Sequence, residues 1–291
     1  MRALAEKSSL GRRLSRRFVA GTALEDVLQA SQEVNGGGCS VSADNLGENV
    51  TRREEVEQHA ALYHRLLDEI AARRLNANVS VKLTQMGLDV DEGLARNVIS
   101  GLVDHAGRDN NFVRVDMEGS PYTQRTLDFV RELHGKNGNQ GRVGAVIQAY
   151  MRRSENDVAQ LVGEGIRIRL CKGAYKEPPE LAFQKMPEVN ENYIRLMKML
   201  LTSGVYHGIA THDEKMIAAT VEFAKAQKIP PEAFEFQMLY GIRRDLQRKL
   251  VDDGWRMRVY IPFGAEWYPY FMRRLAERPA NALFVLRNLF R

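Results

Sequence analysis

The chain has 291 residues, 44% hydrophobic and 27% charged, enough for one large α/β barrel or two modest domains with a full core. No apolar run approaches the roughly 18 residues of a membrane span, and the mean hydropathy of -0.38 agrees. The net charge of +5 comes from basic residues spread through the chain and never interleaved with aromatics, so nucleic-acid binding is not expected.

The chain opens on MRALAEKSSLGRRLSRRF, which lacks the apolar core of a signal peptide. Its helix-forming residues run on into the body, so a transit peptide is not expected either. The stretch SRRFVAGTALEDVLQASQEV reads as one or two extra helices ahead of the first strand. Then a short β-branched or apolar run, followed by a longer helical pattern, recurs eight times. The runs are CSVSADNL (from Cys39), NVSVKLTQM (from Asn78), FVRVDMEG (from Phe112) and RVGAVIQAY (from Arg142). They continue with IRIRLCKG (from Ile166), GIATHDE (from Gly208), FEFQMLYG (from Phe234) and RMRVYIPFG (from Arg256). Amphipathic stretches such as REEVEQHAALYHRLLDEIAARR and DEKMIAATVEFAKAQK separate them. Eight β-then-α units predict an α/β fold, a closed (βα)8 TIM-like barrel, with residues 1–291 as a single domain and 1–35 as a helical segment packed on it. A doubly wound sheet would want its glycines after the first strand, whereas Gly36 to Gly38 precede it. The closing stretch PANALFVLRNLF is short and apolar and is expected to pack on the barrel or cover its mouth. Cys39 and Cys171 lie far apart in strand-like segments, so neither a disulfide framework nor a metal-binding pair is expected, and a reducing cytoplasm is the default.

Barrels of this kind do their chemistry where the βα loops leave the strands. Those ends are unusually polar here: Lys82 on the second strand, Asp116 and Glu118 on the third, Gln148 on the fourth, Arg169 and Lys172 on the fifth. The sixth ends in Thr211, His212 and Asp213, the seventh in Gln237 and Tyr240, and the eighth carries Tyr260. One such residue is most simply a structural ion pair, as Lys82 with Asp116 would be. Polar ends on six neighbouring strands point to a site, because burying isolated charges costs several kcal/mol unless they are paired or used. After the eighth strand, WYPYFMRRLAERP places Glu277 one helical turn beyond Arg273 and Arg274. The Glu can hold a guanidinium in place and leave the planar forks to bind a carboxylate. The bland alternative is a solvated charged face, but Trp267, Tyr268, Tyr270 and Phe271 on the same helix suggest that it is packed.

In order and spacing, RRFVAG (from Arg16), SVKLTQMG (from Ser80), VRVDMEGS (from Val113), VIQAY (from Val146) and IRLCKGAYKEP (from Ile168) resemble proline dehydrogenases. ATHDE (from Ala210), EFQMLYGI (from Glu235) and VYIPFGAEWYPYFMRRLAERPAN (from Val259) continue the likeness, which covers nearly the whole chain. It extends to the corresponding domain of the bifunctional proline-utilisation flavoenzymes, without their aldehyde-oxidising domain. The resemblance implies a distorted (βα)8 barrel, noncovalent FAD, and oxidation of L-proline to Δ1-pyrroline-5-carboxylate, with electrons passed to a membrane quinone. It implies that Arg273 and Arg274 hold the proline carboxylate, that Lys82 completes that anion site, and that Asp116 is the acidic partner of Lys82. Arg169 corresponds to an arginine at the reactive edge of the isoalloxazine. Met117, Gln148, Lys172, Gly173, Ala174, Thr211 and His212 correspond to FAD-contacting positions, and Leu239 to an apolar cofactor contact. Tyr260 corresponds to a tyrosine packed on the proline ring; hydroxyproline-oxidising members tend to be smaller there, so proline is favoured.

On this reading hydride passes to flavin N5 from a neutral amine, and Arg169 stabilises the charge of the reduced cofactor. Nothing in the sequence identifies a dedicated base for the amine proton, and Asp116 is read as a tether for Lys82 in preference to that base. The alternatives are a flavin-free lyase or aldolase with a Schiff base on Lys82 or Lys172, a metal-dependent hydrolase using His212, Asp116 and Asp213, and a noncatalytic amino-acid-binding barrel. The expected location is the cytoplasm, and the basic balance permits peripheral contact with the inner face of the cell membrane.

Overall fold

The computed structural model describes residues 15–136 and 138–277, with only the backbone of 275–277. The expectations for 1–14 and for PANALFVLRNLF lie outside the described residues. In chain order the elements are α1 (Leu24–Gly36), β1 (Ser40–Asn45), α2 (Arg53–Ala72), β2 (Ala77–Lys82), α3 (Glu92–Arg108) and β3 (Val113–Asp116). Next come α4 (Ser120–Gly135), β4 (Val143–Gln148), α5 (Ser154–Gly163), β5 (Arg167–Cys171), α6 (Met186–Leu201) and β6 (His207–Ala210). The last are α7 (Glu214–Ala226), β7 (Phe234–Leu239), α8 (Arg244–Asp252), β8 (Met257–Phe263) and α9 (Trp267–Glu277). The strands form a closed barrel in sequence order, all parallel, and the seam pairs β1 with β8 from Ser40↔Arg258 to Asn45↔Phe263. All eight strand-like runs become strands, each followed by a helix, and the extra N-terminal helix and the helix after the eighth strand are both present.

Local chemistry explains the helix starts. Asp91 caps α3 by accepting from the Leu94 N–H at 2.8 Å, and Asp213 caps α7 by accepting from Lys215 N–H at 3.0 Å. Glu54 and Glu55 face the positive end of α2, whose buried Val56, Tyr63, Leu67 and Ile70 recur at helical spacing.

Parallel strands covered on both faces are commonly apolar throughout. Here they alternate. Val41 and Ala43, Val79 and Val81, Val113 and Val115, Phe234 and Phe236, Val259 and Ile261 face outward into the core shared with the helices. The intervening residues point into the lumen and are largely polar, as their bonds across the barrel establish: Ser42 Oγ lies 3.0 Å from Ser80 Oγ, and Arg169 reaches both. Deeper in, Arg258 Nε donates to Glu235 Oε1 at 2.6 Å, and its Nη1 donates to the Val41 carbonyl at 2.6 Å.

The helix after the barrel is packed, as its aromatics suggested. Trp267, Tyr270 and Phe271 form a second apolar cluster with Phe18, Val19, Leu46 and Ile242, with Leu239 and Tyr268 against it. The Phe18 and Phe271 ring centroids stand 6.1 Å apart. Cys39 and Cys171 are both free thiols, and burial pushes Cys171 up to about 12. Among the described residues no helix is long and apolar enough to cross a membrane.

Candidate active site

Arg169, inward on β5, is the hub of the upper lumen. Its Nη1 donates to Asp116 Oδ1 at 2.6 Å, its Nε to Gln237 Oε1 at 2.5 Å, and its Nη2 to Ser42 Oγ at 3.1 Å. Both Nη atoms also lie 3.2 Å from Ser80 Oγ. The second Asp116 oxygen accepts from the Tyr260 hydroxyl at 2.8 Å, and the Arg169 guanidinium stands 5.1 Å from the centre of the Tyr260 ring. Burial, and then the Asp116 carboxylate, push the Tyr260 phenol well above its ordinary range, so it remains a donor. A buried guanidinium is tolerable only when its donors are met, and four strands supply the acceptors.

The ammonium of Lys82 is not bonded to Asp116, as the sequence had suggested. It is paired with Asp44 of β1, with Nζ 3.1 Å from Oδ1 and 3.4 Å from Oδ2. Lys82 and Asp116 are neighbours in the β2–β3 register, but Arg169 and Tyr260 occupy the Asp116 oxygens from across the lumen. Burial disfavours the Lys82 ammonium, yet Asp44 and Asp116 outweigh it and hold the pKa above its ordinary value. Burial, opposed by Lys82 and reinforced by Asp116, pushes the Asp44 carboxyl up. A Schiff-base lysine needs the opposite shift, toward the free amine.

The rim residues form a second group. Gln148 Nε2 donates to the Glu118 carbonyl at 3.1 Å, while its Oε1 accepts from the Ala174 N–H at 3.4 Å. The Glu118 carboxylate accepts from Thr84 at Oγ1 (2.6 Å) and N (3.1 Å), and burial raises its pKa. Lys172 Nζ lies 2.6 Å from Asp213 Oδ2; burial works against that carboxylate, and the lysine bond holds it below its ordinary range. His212 accepts from the Leu239 N–H at Nε2 (2.9 Å), and Thr211 Oγ1 accepts from Asp213 N–H at 3.0 Å. Met117 is buried at the end of β3. Gly173 has φ +118, and a Cβ there would come 2.1 Å from the Tyr150 ring, so only glycine lets this loop pass. The trio considered for a metal hydrolase is thus engaged separately: Asp116 with Arg169 and Tyr260, Asp213 with Lys172, His212 with the backbone.

Arg273 and Arg274 stand on α9. Arg273 Nη1 lies 3.3 Å from Glu48 Oε1, tying the helix to the loop after β1, and the Arg274 guanidinium lies 5.1 Å from the Tyr270 ring centre. The side chain of Glu277 lies outside the described residues. Tyr175, in the loop after β5, belongs to the same mouth. Burial pushes its phenol up, Lys82 and Arg273 oppose that, and Glu118 and Glu48 add to it. Sequence reasoning missed Asp44, Glu48, Tyr175 and the pairing of Gln237 with Arg169. Asp44 had a signal in the alternation of Ser40, Ser42 and Asp44 with apolar neighbours. The pairings across the lumen had none.

A family model described as proline dehydrogenase matches residues 27–287. Proline dehydrogenase 1 of Bacillus subtilis (strain 168) is 39% identical over 277 residues, spanning 95% of this chain and 91% of its own. A proline dehydrogenase of Deinococcus radiodurans is 40% identical over 285 residues, covering 96% of this chain and 90% of its own. Among solved structures, proline utilization A of Bdellovibrio bacteriovorus, inactivated by N-propargylglycine, superposes with a TM-score of 0.85 at 26% identity. That match covers 91% of this chain but 32% of the larger one. With the barrel and its polar mouth, these matches make the chain a member of the proline dehydrogenase family.

Proposed function

We propose that this protein oxidises L-proline to Δ1-pyrroline-5-carboxylate with noncovalently bound FAD and passes the electrons to a membrane quinone, as a single-domain enzyme of the cytoplasm or the inner membrane face. Supporting the reading are Lys82, whose ammonium Asp44 and Asp116 hold above its ordinary pKa, and two cations of α9, Arg273 bonded to Glu48 in the loop after β1 and Arg274 next to it in the chain. These three cations suit one small carboxylate, which two planar forks can grip in a fixed orientation.

The rim suits a flavin dinucleotide: Lys172 for charge on the phosphates, the Gly173 turn for close backbone approach, Gln148, Thr211 and His212 as polar contacts, Met117 and Leu239 as apolar ones. When bound, the flavin supplies the hydride acceptor. The residues of the chain do the rest. Fixing the carboxylate replaces a bimolecular encounter with a near-attack arrangement. Arg169 holds a permanent positive charge beside the site, where negative charge develops. The Tyr260 ring, locked by its bond to Asp116, offers an apolar surface to the pyrrolidine. Each Asp116 oxygen accepts a hydrogen bond, from Arg169 and from Tyr260, which supports a structural role over that of a base.

The test is spectroscopic. Purified protein should be yellow, acid or heat should release FAD, and anaerobic L-proline should bleach the visible band. Tetrahydro-2-furoate should inhibit competitively while its uncharged amide does not. A colourless protein that FAD cannot reconstitute would sink the proposal.

A further inference from the structure

The shortest hydrogen bond of Arg169 is made by Nε, and its partner comes from two strands away. In the barrel β6 lies between β5 and β7, so a β7 side chain reaches β5 only by crossing β6. The register sets Gly208 beside Arg169 on one flank and beside Glu235 on the other. Gln237 lies across that glycine. A Cβ added to Gly208 would stand 2.2 Å from Gln237 Nε2 and 2.6 Å from Gln237 Cδ. Real Cβ atoms essentially never approach so closely, so a side chain at 208 would push the Gln237 amide, the movable end of its chain, out of this crossing.

The amide also has a defined polarity. Gln237 Nε2 donates to Glu235 Oε1 at 2.6 Å, and Oε1 accepts from Arg169 Nε at 2.5 Å. Glu235 is buried and accepts in addition from Arg258 Nε at 2.6 Å and from the Tyr206 hydroxyl at 2.9 Å. Burial disfavours its charge, but Arg258 outweighs that and keeps the carboxylate ionised. An ionised carboxylate only accepts, so it selects the NH2 end of the amide and leaves the carbonyl end for the guanidinium. The other acceptors of Arg169 are one aspartate oxygen and two serine hydroxyls that can rotate. They do not fix the plane of the fork by themselves.

We propose that Glu235 and Gln237, crossing above Gly208, are positioning residues that set the orientation of the Arg169 guanidinium. The kinetic half of this inference rests on the proposed proline oxidation; the geometric half does not. Two substitutions approach the amide from opposite sides. Gln237→Ala deletes it. Gly208→Ala keeps every hydrogen-bonding group and only pushes the amide aside.

The first readout is the Arg169 Nε–H resonance in arginine-15N-labelled protein as purified, assigned by its loss in Arg169→Lys. Its hydrogen exchange should be slow in the wild type and at least about tenfold faster in each variant, since a charge-assisted bond is lost. The second is steady-state kinetics with L-proline. Each variant should lower kcat by roughly ten- to a hundredfold while KM changes less than about threefold. The double variant should be no worse than Gln237→Ala alone, because the new methyl enters space the amide has left. Glu235→Gln should show the same split in milder form, by letting the amide flip. Unchanged Arg169 exchange in either single variant overturns the proposal, as do additive losses in the double variant or a joint collapse of kcat, KM and flavin content. If the wild type does not oxidise proline, the functional reading fails by itself and the resonance still decides this one.

Discussion

At the residue scale, Arg273 is the most exposed test of the carboxylate site. Its side chain is 45% exposed and its partner Glu48 33%, so the pair itself stabilises little. On the proposed function, the value of Arg273 lies instead in what its fork does for substrate. Arg273→Lys keeps the charge and loses the bidentate geometry, and should reduce kcat/KM for proline by roughly ten- to a hundredfold. Arg273→Met should cost more, with flavin content near wild type, as measured by steady-state kinetics beside visible spectra. Wild-type kinetics in Arg273→Met would make α9 a charged surface only. Lys82, Arg169 and Tyr260 were legible in the sequence because a charged or phenolic side chain at a strand end violates the usual apolar pattern. Which acid each one meets was not legible. Lys82 meets Asp44 on the neighbouring strand and Arg169 meets Asp116 two strands away, a choice of partner that strand spacing does not encode.

Elements were easier to read than their contacts. Short β-branched or apolar runs alternating with amphipathic stretches located strands and helices, and the aromatic residues of α9 announced that it is packed. Its partner, Phe18, sits some 250 positions earlier in the chain, and nothing local links the two. On the proposed function that docking matters, since α9 carries both arginines. Trp267 is 3% exposed, with its ring 5.8 Å from that of Phe271. Trp267→Ala should cost about 3–5 kcal/mol of local packing. Because α9 packs in a cluster separate from the main barrel core, we expect the KM for proline to rise by more than kcat falls, with the main melting transition moving less than a core change of that size would demand. Calorimetry and kinetics on one preparation check this; equal losses in stability and in both kinetic constants would contradict it.

At the scale of the whole molecule, the charged lumen sets a response to acid. His207, at the start of β6, is buried, accepts from Ile168 N–H at Nδ1 (3.0 Å) and has Nε2 2.9 Å from Ser203 Oγ. Burial, then the nearby Arg114 and Arg167, press its pKa down to about 3. The unfolded chain takes up that proton near the ordinary histidine value of about 6.5 while the fold still refuses it. Stability from this group is therefore complete above about pH 6.5 and declines as pH falls toward 3, by about 1.4 kcal/mol per pH unit. Urea midpoints between pH 4 and 8 should show this slope, and His207→Gln should flatten it; parallel slopes would refute the assignment.

The seam between β1 and β8 has a consequence in time. Ser40 pairs with Arg258, and the Arg258 guanidinium donates to the Val41 carbonyl, so the first strand made meets its last neighbour only after the other seven strands have been made. Loop closure over such a span makes this pairing slow to form. Until then β1 is an open edge, and Asp116 lacks the hydroxyl that Tyr260 brings on β8. The outer apolar layer can thus begin to assemble early, but the lumen around Arg169 is closed only when the ring shuts.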